Sequence, residues 1–180
     1  MVISNEHIID RTQNWIRLFI IKLNVCPFAK REIEKNTVKI HVVNAQKLQQ
    51  ALEALSLELL FLDKNPSMET TFLVFPSLFT DFFHYLDFLA VAESLIIALG
   101  YEGIYQLASF HPDYCFADTE FNDVSNYTNR SPYPMIHLLR EESLEKAINY
   151  YGDTERIPTN NIATMRQIGL KQIEEIWAKL

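Results

Sequence analysis

Residues 106–141 read QLASFHPDYCFADTEFNDVSNYTNRSPYPMIHLLRE, and the parsing of this stretch decides the fold. One apolar run ends at Phe110 and leads into His111-Pro112-Asp113; a second begins at Met135. Between them, residues 111–134 show neither helical nor strand periodicity, and a connection of that length in a compact domain is usually functional or disordered. Tyr114, Phe116, Phe121, Tyr127 and Tyr133 give it aromatic surface to bury, which disordered segments lack. The stretch therefore predicts two strands, 103–110 and 135–140, joined by an ordered loop at 111–134. That loop also concentrates polar groups with no structural job in a helix or strand.

Upstream, Val38, Ile40 and Val42 alternate with Lys39 and His41 in a strand pattern, and Thr71 to Phe75 is an unbroken apolar run closed by Pro76. Helical spacing predicts helices over 6–24, ended by Cys26-Pro27, and over the Leu48, Leu52, Leu55, Leu59, Leu62 stripe. Further helices are expected from about Asp81 to Gly100, over 143–150 and over 160–179, whereas 28–36 is charged and irregular. Helices alternating with strands argue for an α/β fold: one domain over 1–180, layered, with a small, mostly parallel sheet flanked by helices. Strands one to three should be parallel, with the long loop leaving the carboxyl edge of the sheet, where ligands of open sheets collect. The same string of elements also permits a ferredoxin-like α+β sandwich.

The 180 residues carry a formal charge of -7, with 23 acidic against 16 basic side chains, which argues against a nucleic-acid partner. The apolar segment from Trp15 to Val25 is interrupted by Arg17 and Lys22 and is too short to span a bilayer, so no membrane partner is expected. Two cysteines in unrelated contexts, Cys26 and Cys115, suit a reduced, cytoplasmic setting without a disulfide. The four glycines form no phosphate-cradling loop, and no cofactor can be named. Asp113, Asp118, Glu120 and Asp123 match no EF-hand spacing, and no metal is assigned. Oligomeric state is left open.

CPFA at 26–29, QLASFHPDY at 106–114 and TNRSPYPMIHLLRE at 128–141 resemble a bacterial domain-of-unknown-function family, number 1415, over essentially the whole chain. The resemblance implies a soluble bacterial protein of this size and brings no established activity or cofactor with it. Cys115 departs from the family's pattern, which argues against an essential thiol there.

Within the loop, His111 follows a strand end and precedes a proline, which suits an acid/base held at a cleft; its alternative is an imidazole bonded to the loop backbone. Asp113 is placed to orient it, and His137, in an apolar strand, would join if the two histidines met. Arg130, among Asn129 and Ser131, suits an anion clamp, with a loop anchor to backbone carbonyls as its alternative. Gln106 and Arg140 complete the candidate ligand contacts, Arg140 only if the fourth strand runs parallel to the third. Two functions follow. One is an enzyme acting on a small anionic metabolite, with His111 as acid/base and Arg130 as clamp. The other is a non-catalytic module that binds a ligand or a protein partner. Cys26 is expected to be buried and inert, because it follows the carboxyl end of its helix.

Overall fold

The structure is a computed structural model that describes residues 3–152 and 154–180. Ser4 caps helix α1 (Asn5–Trp15) by accepting from the His7 N–H, and the helix continues as a wider π-helical segment, Ile16–Ile21. The chain then builds α2 (Ala29–Glu34), β1 (Val38–Val42), α3 (Leu48–Lys64), β2 (Thr70–Val74), α4 (Phe82–Ala98) and β3 (Tyr105–Phe110). After the long loop come β4 (Met135–Arg140), α5 (Glu141–Tyr151) and α6 (Ile157–Trp177). Helix α2 occupies the charged stretch expected to be irregular. Helix α6 is broken at Gly169, whose φ of 72° only glycine adopts without strain.

The fold is α/β, with one four-stranded sheet in the order β1-β2-β4-β3 and helices on both faces. β1 pairs parallel with β2, while β4 pairs antiparallel with both β2 and β3. It follows that β1, β2 and β3 all point the same way, as the sequence indicated. The pairings themselves are mixed rather than mostly parallel. The crossover from β2 through α4 skips one strand position, and the loop leaving the carboxyl end of β3 returns the chain into that slot, where it runs antiparallel to both neighbours. Both crossovers advance in the same direction, so a common hand puts α3 and α4 on one face.

That face packs Leu73, Ile136, Leu138 and Tyr105 against Leu55, Leu59 and Phe88. The opposite face packs Phe72, Val74 and Met135 against Trp15, Phe19, Met165 and Ile173 from α1, its π-helical extension and α6. The period-two alternation of β2 divides these side chains between the faces. One charge lies under α3. Glu58 is 2% exposed and accepts from Lys39 Nζ (2.7 Å), His41 Nδ1 (2.9 Å) and Thr71 Oγ1 (3.1 Å). Burial raises its pKa, but hydrogen bonds from His41, Lys39 and Thr71 outweigh that and hold it below the usual carboxylate range.

The antiparallel register settles Arg140. Tyr105 pairs with Arg140 and Phe110 with Met135, so Arg140 lies at the end of the sheet remote from His111 and does not join it. Its guanidinium donates to Leu62 O (2.6 Å) and Met68 O (3.2 Å) and to the Tyr105 hydroxyl (3.0 Å), capping the carbonyl end of α3. An Arg140→Ala variant should lose about 3 kcal/mol of stability, since several acceptors lose a charged donor. Equilibrium urea denaturation checks this, and an unchanged midpoint would contradict the clamp.

Candidate functional site: a cavity on the sheet face

The long loop is ordered by polar contacts that consume most of the residues expected to act on a ligand. His111 is fully buried. Its Nδ1 accepts from the Asp113 N–H (2.9 Å), so the proton sits on Nε2, which donates to Phe79 O (2.8 Å). Burial draws its pKa down, and neither ring nitrogen is left for chemistry. The backbone of His111 pairs with Asn129 O and with the Ser131 N–H, tying the start of the loop to its end. Asn126 holds the middle: its Oδ1 accepts from the Phe116 N–H and the Thr119 hydroxyl, and its Nδ2 donates to Glu120 O.

Arg130 is 8% exposed. It donates through Nε to Tyr114 O (3.2 Å) and through a terminal nitrogen to Phe121 O (2.5 Å), between the rings of Phe121 and Tyr127. These are the backbone-anchor arrangements foreseen as alternatives, and neither His111 nor Arg130 lines the depression or the cavity described below. Ser131 is buried and donates to Tyr133 O (2.6 Å), Asp113 is exposed, and Gln106 is exposed on the edge strand β3.

The carboxyl edge of the sheet carries an open depression of 460 Å³ beside Ser77, Asp81 and His84. The larger cavity, 720 Å³, lies on the sheet face towards the amino ends of β1 and β2. Its floor follows a cross-strand row, Ile40–Phe72–His137–Ala108, whose last three members line the space. The small Ala108 leaves room beside the imidazole. Trp15 meets Phe110 (5.2 Å) and Phe72 (6.2 Å) edge-on at one wall. The roof comes from the 26–29 segment, α2 and α5, where Phe28 packs edge-on against Tyr151 (5.8 Å). Asn161 Nδ2 pins that segment through Val25 O (2.9 Å). Asn129 also borders the cavity, but its Nδ2 is spent on Ser109 O (3.1 Å).

Within this cavity His137 stacks on Phe72, with centroids 3.8 Å apart and planes 10° from parallel. The Thr70 hydroxyl donates to Leu138 O in a very short bond, so its oxygen must accept from His137 Nε2 (2.5 Å), which fixes the proton there. Nδ1 has no partner among the described residues, and the partly buried ring lines the cavity. Desolvation pulls the His137 pKa down to about 3. Cys26 also lines the cavity; burial raises its thiol pKa, only partly offset by the Phe28 and Ala29 N–H groups. Both cysteines are free thiols. Among the described residues no group of acidic, histidine and cysteine side chains is arranged to hold a metal, and no helix is long and apolar enough to cross a membrane.

The sequence reading missed Thr70, Phe72 and Ala108 as cavity residues, along with the roof from α2 and α5. The signal for the first three was the strand period: once β4 pairs with both neighbours, positions 72, 137 and 108 must share a face. The CPFA motif was the trace of the roof.

Two outcomes are expected. Arg130→Ala should cost about 3 kcal/mol in urea denaturation, and lysine should not restore it, because the fork geometry is lost. A melting temperature within a degree or so of wild type would contradict the anchor. For His137 the folded pKa is below the unfolded value of 6.5, so the unfolded chain binds the extra proton and stability falls as pH drops from about 6.5 towards 3. The slope approaches about 1.4 kcal/mol per pH unit. His137→Phe should flatten that loss, leaving the smaller share of His111; an unchanged acid profile would show that the imidazole is solvated.

No curated protein and no solved structure matches the chain. A family model described as "Protein of unknown function (DUF1415)" matches residues 7–175, and the chain therefore belongs to that family.

Proposed function

We propose that the chain is a non-catalytic binding protein for a small amphipathic anion, whose apolar body enters the sheet-face cavity while its charge stays at the rim. The observation that carries this reading is the cavity itself: 720 Å³ is within the range of small-molecule sites, and its aromatic walls hold two unengaged polar atoms, the acceptor His137 Nδ1 and the buried donor Trp15 Nε1. The lining includes Arg31, Lys35, Arg140 and Lys146 against Glu32 and Glu69. Arg31 and Lys35 pair with Glu32 and Lys146 with Glu142, but Arg31 and Lys146 are 72% and 71% exposed at their side chains, so these pairs are weak and can be exchanged for an anionic ligand. The cations stand out in a chain of net charge -7. Binding is favoured over catalysis because the histidine and the cysteine that line the space are in their neutral forms. A histidine with a pKa of about 3 is a feeble proton acceptor, and a thiol raised by burial is a poor nucleophile. An enzyme built on His111 and Arg130 would need both groups released from the backbone partners that hold the loop.

Titration with 2-naphthoate and with decanoate tests this. One saturable site per chain is expected for at least one of them, with a rise in melting temperature that grows with ligand concentration. Ala108→Leu, which fills the space beside His137, should abolish binding while keeping or raising stability. Absence of saturable binding by either probe, or binding indifferent to Ala108→Leu, would overturn the reading.

A further inference from the structure

The proton arrangement at the cavity floor says what kind of group the deep end of the ligand must present. Thr70 has a single hydroxyl proton, and Leu138 O takes it. The oxygen of Thr70 is then obliged to accept, which keeps the His137 proton on Nε2 and leaves Nδ1 as a bare lone pair on the cavity side. Stacking on Phe72 at 3.8 Å holds the ring plane, so the lone pair has a set direction. A carboxylate or an ether oxygen brought to this point would set lone pair against lone pair in an apolar enclosure, whereas an O–H or N–H would be received. The floor at His137 is therefore a hydrogen-bond acceptor, Trp15 in the wall keeps a buried, unpartnered Nε1–H, and the rim carries the cations Arg31, Lys35 and Lys146 beside Glu32 and Glu69.

We propose, resting on the cavity reading above, that the ligand class is an aryl carboxylate bearing an uncharged O–H or N–H donor at the end remote from its charge. His137 Nδ1 is the acceptor that selects it, and Thr70 is the positioning residue that fixes the acceptor's tautomer. The aromatic body suits walls made of Trp15, Phe28, Phe72 and Phe110. Desolvation of His137 keeps the acceptor unprotonated at neutral pH, in agreement with this geometry.

The test compares 6-hydroxy-2-naphthoate, 2-naphthoate and 6-methoxy-2-naphthoate, three probes that share a body and a charge and differ at the deep end. Wild type should bind the hydroxy compound about tenfold more tightly than 2-naphthoate, and the methoxy compound most weakly. His137→Phe keeps the stack on Phe72 and should bring the three affinities together. Thr70→Val frees the imidazole to carry its proton on Nδ1, so the methoxy compound should gain on the hydroxy compound. In histidine-labelled wild type, the Nδ1 nitrogen signal of His137 should be that of an unprotonated nitrogen at neutral pH. It should move on addition of the hydroxy compound and stay in place with 2-naphthoate, a readout that holds even if a variant fails to fold. Equal wild-type affinity for the hydroxy compound and 2-naphthoate, a preference that survives in His137→Phe, or a protonated Nδ1 would each overturn the proposal. The cavity reading stands through those failures provided Ala108→Leu still blocks naphthoate binding, and both fall if no naphthoate binds.

Discussion

The antiparallel insertion of β4 between β2 and β3 is the constraint on which the rest of the structure depends. It closes the gap left by the β2–α4–β3 crossover, so a chain of three co-directional strands becomes one continuous sheet. It places His137 in the middle of that sheet, paired with Phe72 on one side and Ala108 on the other, where the ring is partly buried and faces the cavity. It sends Arg140 to the far end, where the guanidinium caps α3. With β4 parallel to β3, Arg140 would take the end that Met135 now occupies and its cap on α3 would not exist.

The stretches at 111–114 and 128–131 serve architecture first. HPDY and TNRS grip one another through the His111–Asn129 and Ser131–His111 backbone pairs. The Arg130 contacts to Tyr114 O and Phe121 O do the same at side-chain level. A loop this long carries many backbone groups that must be satisfied once buried, and leaving them unpaired costs more than each bond returns. Buried histidine, arginine and asparagine side chains are the means used here.

The two faces of the sheet solve the problem of a buried titratable group in opposite ways. Desolvation opposes the charge in both cases. Under α3, Glu58 keeps its charge because Lys39, His41 and Thr71 all donate to it. On the cavity side, His137 has a hydroxyl oxygen on one nitrogen and open space on the other, so it gives up its proton instead. A charged network suits a packed helix–sheet junction, while a neutral acceptor suits a void that must admit an apolar body.

Much of this protein was determined locally. The strands at Val38–Val42, Thr70–Val74 and Met135–Arg140 follow from β-branched and apolar runs bounded by turn residues, and the Leu48 to Leu62 stripe and the Asp81 cap announce α3 and α4. The ordered character of 111–134 was legible in its aromatics. Strand order was not, because the loop could return β4 to either side of β3 and its length allows both. That choice is made by long-range burial, by which face of β4 finds Phe72 and which finds Leu73, and it governs the roles of single residues. His111 and Arg130 carry the chemistry a site requires, yet whether such groups meet a ligand or a backbone carbonyl depends on chain segments distant in sequence. For Arg130 those are Tyr114 and Phe121, for His111 Phe79, and for His137 Thr70. Sequence supplied the functional groups, and the tertiary structure chose their hydrogen-bond partners, because only packing brings Thr70 within 2.5 Å of His137 and leaves a space beside it.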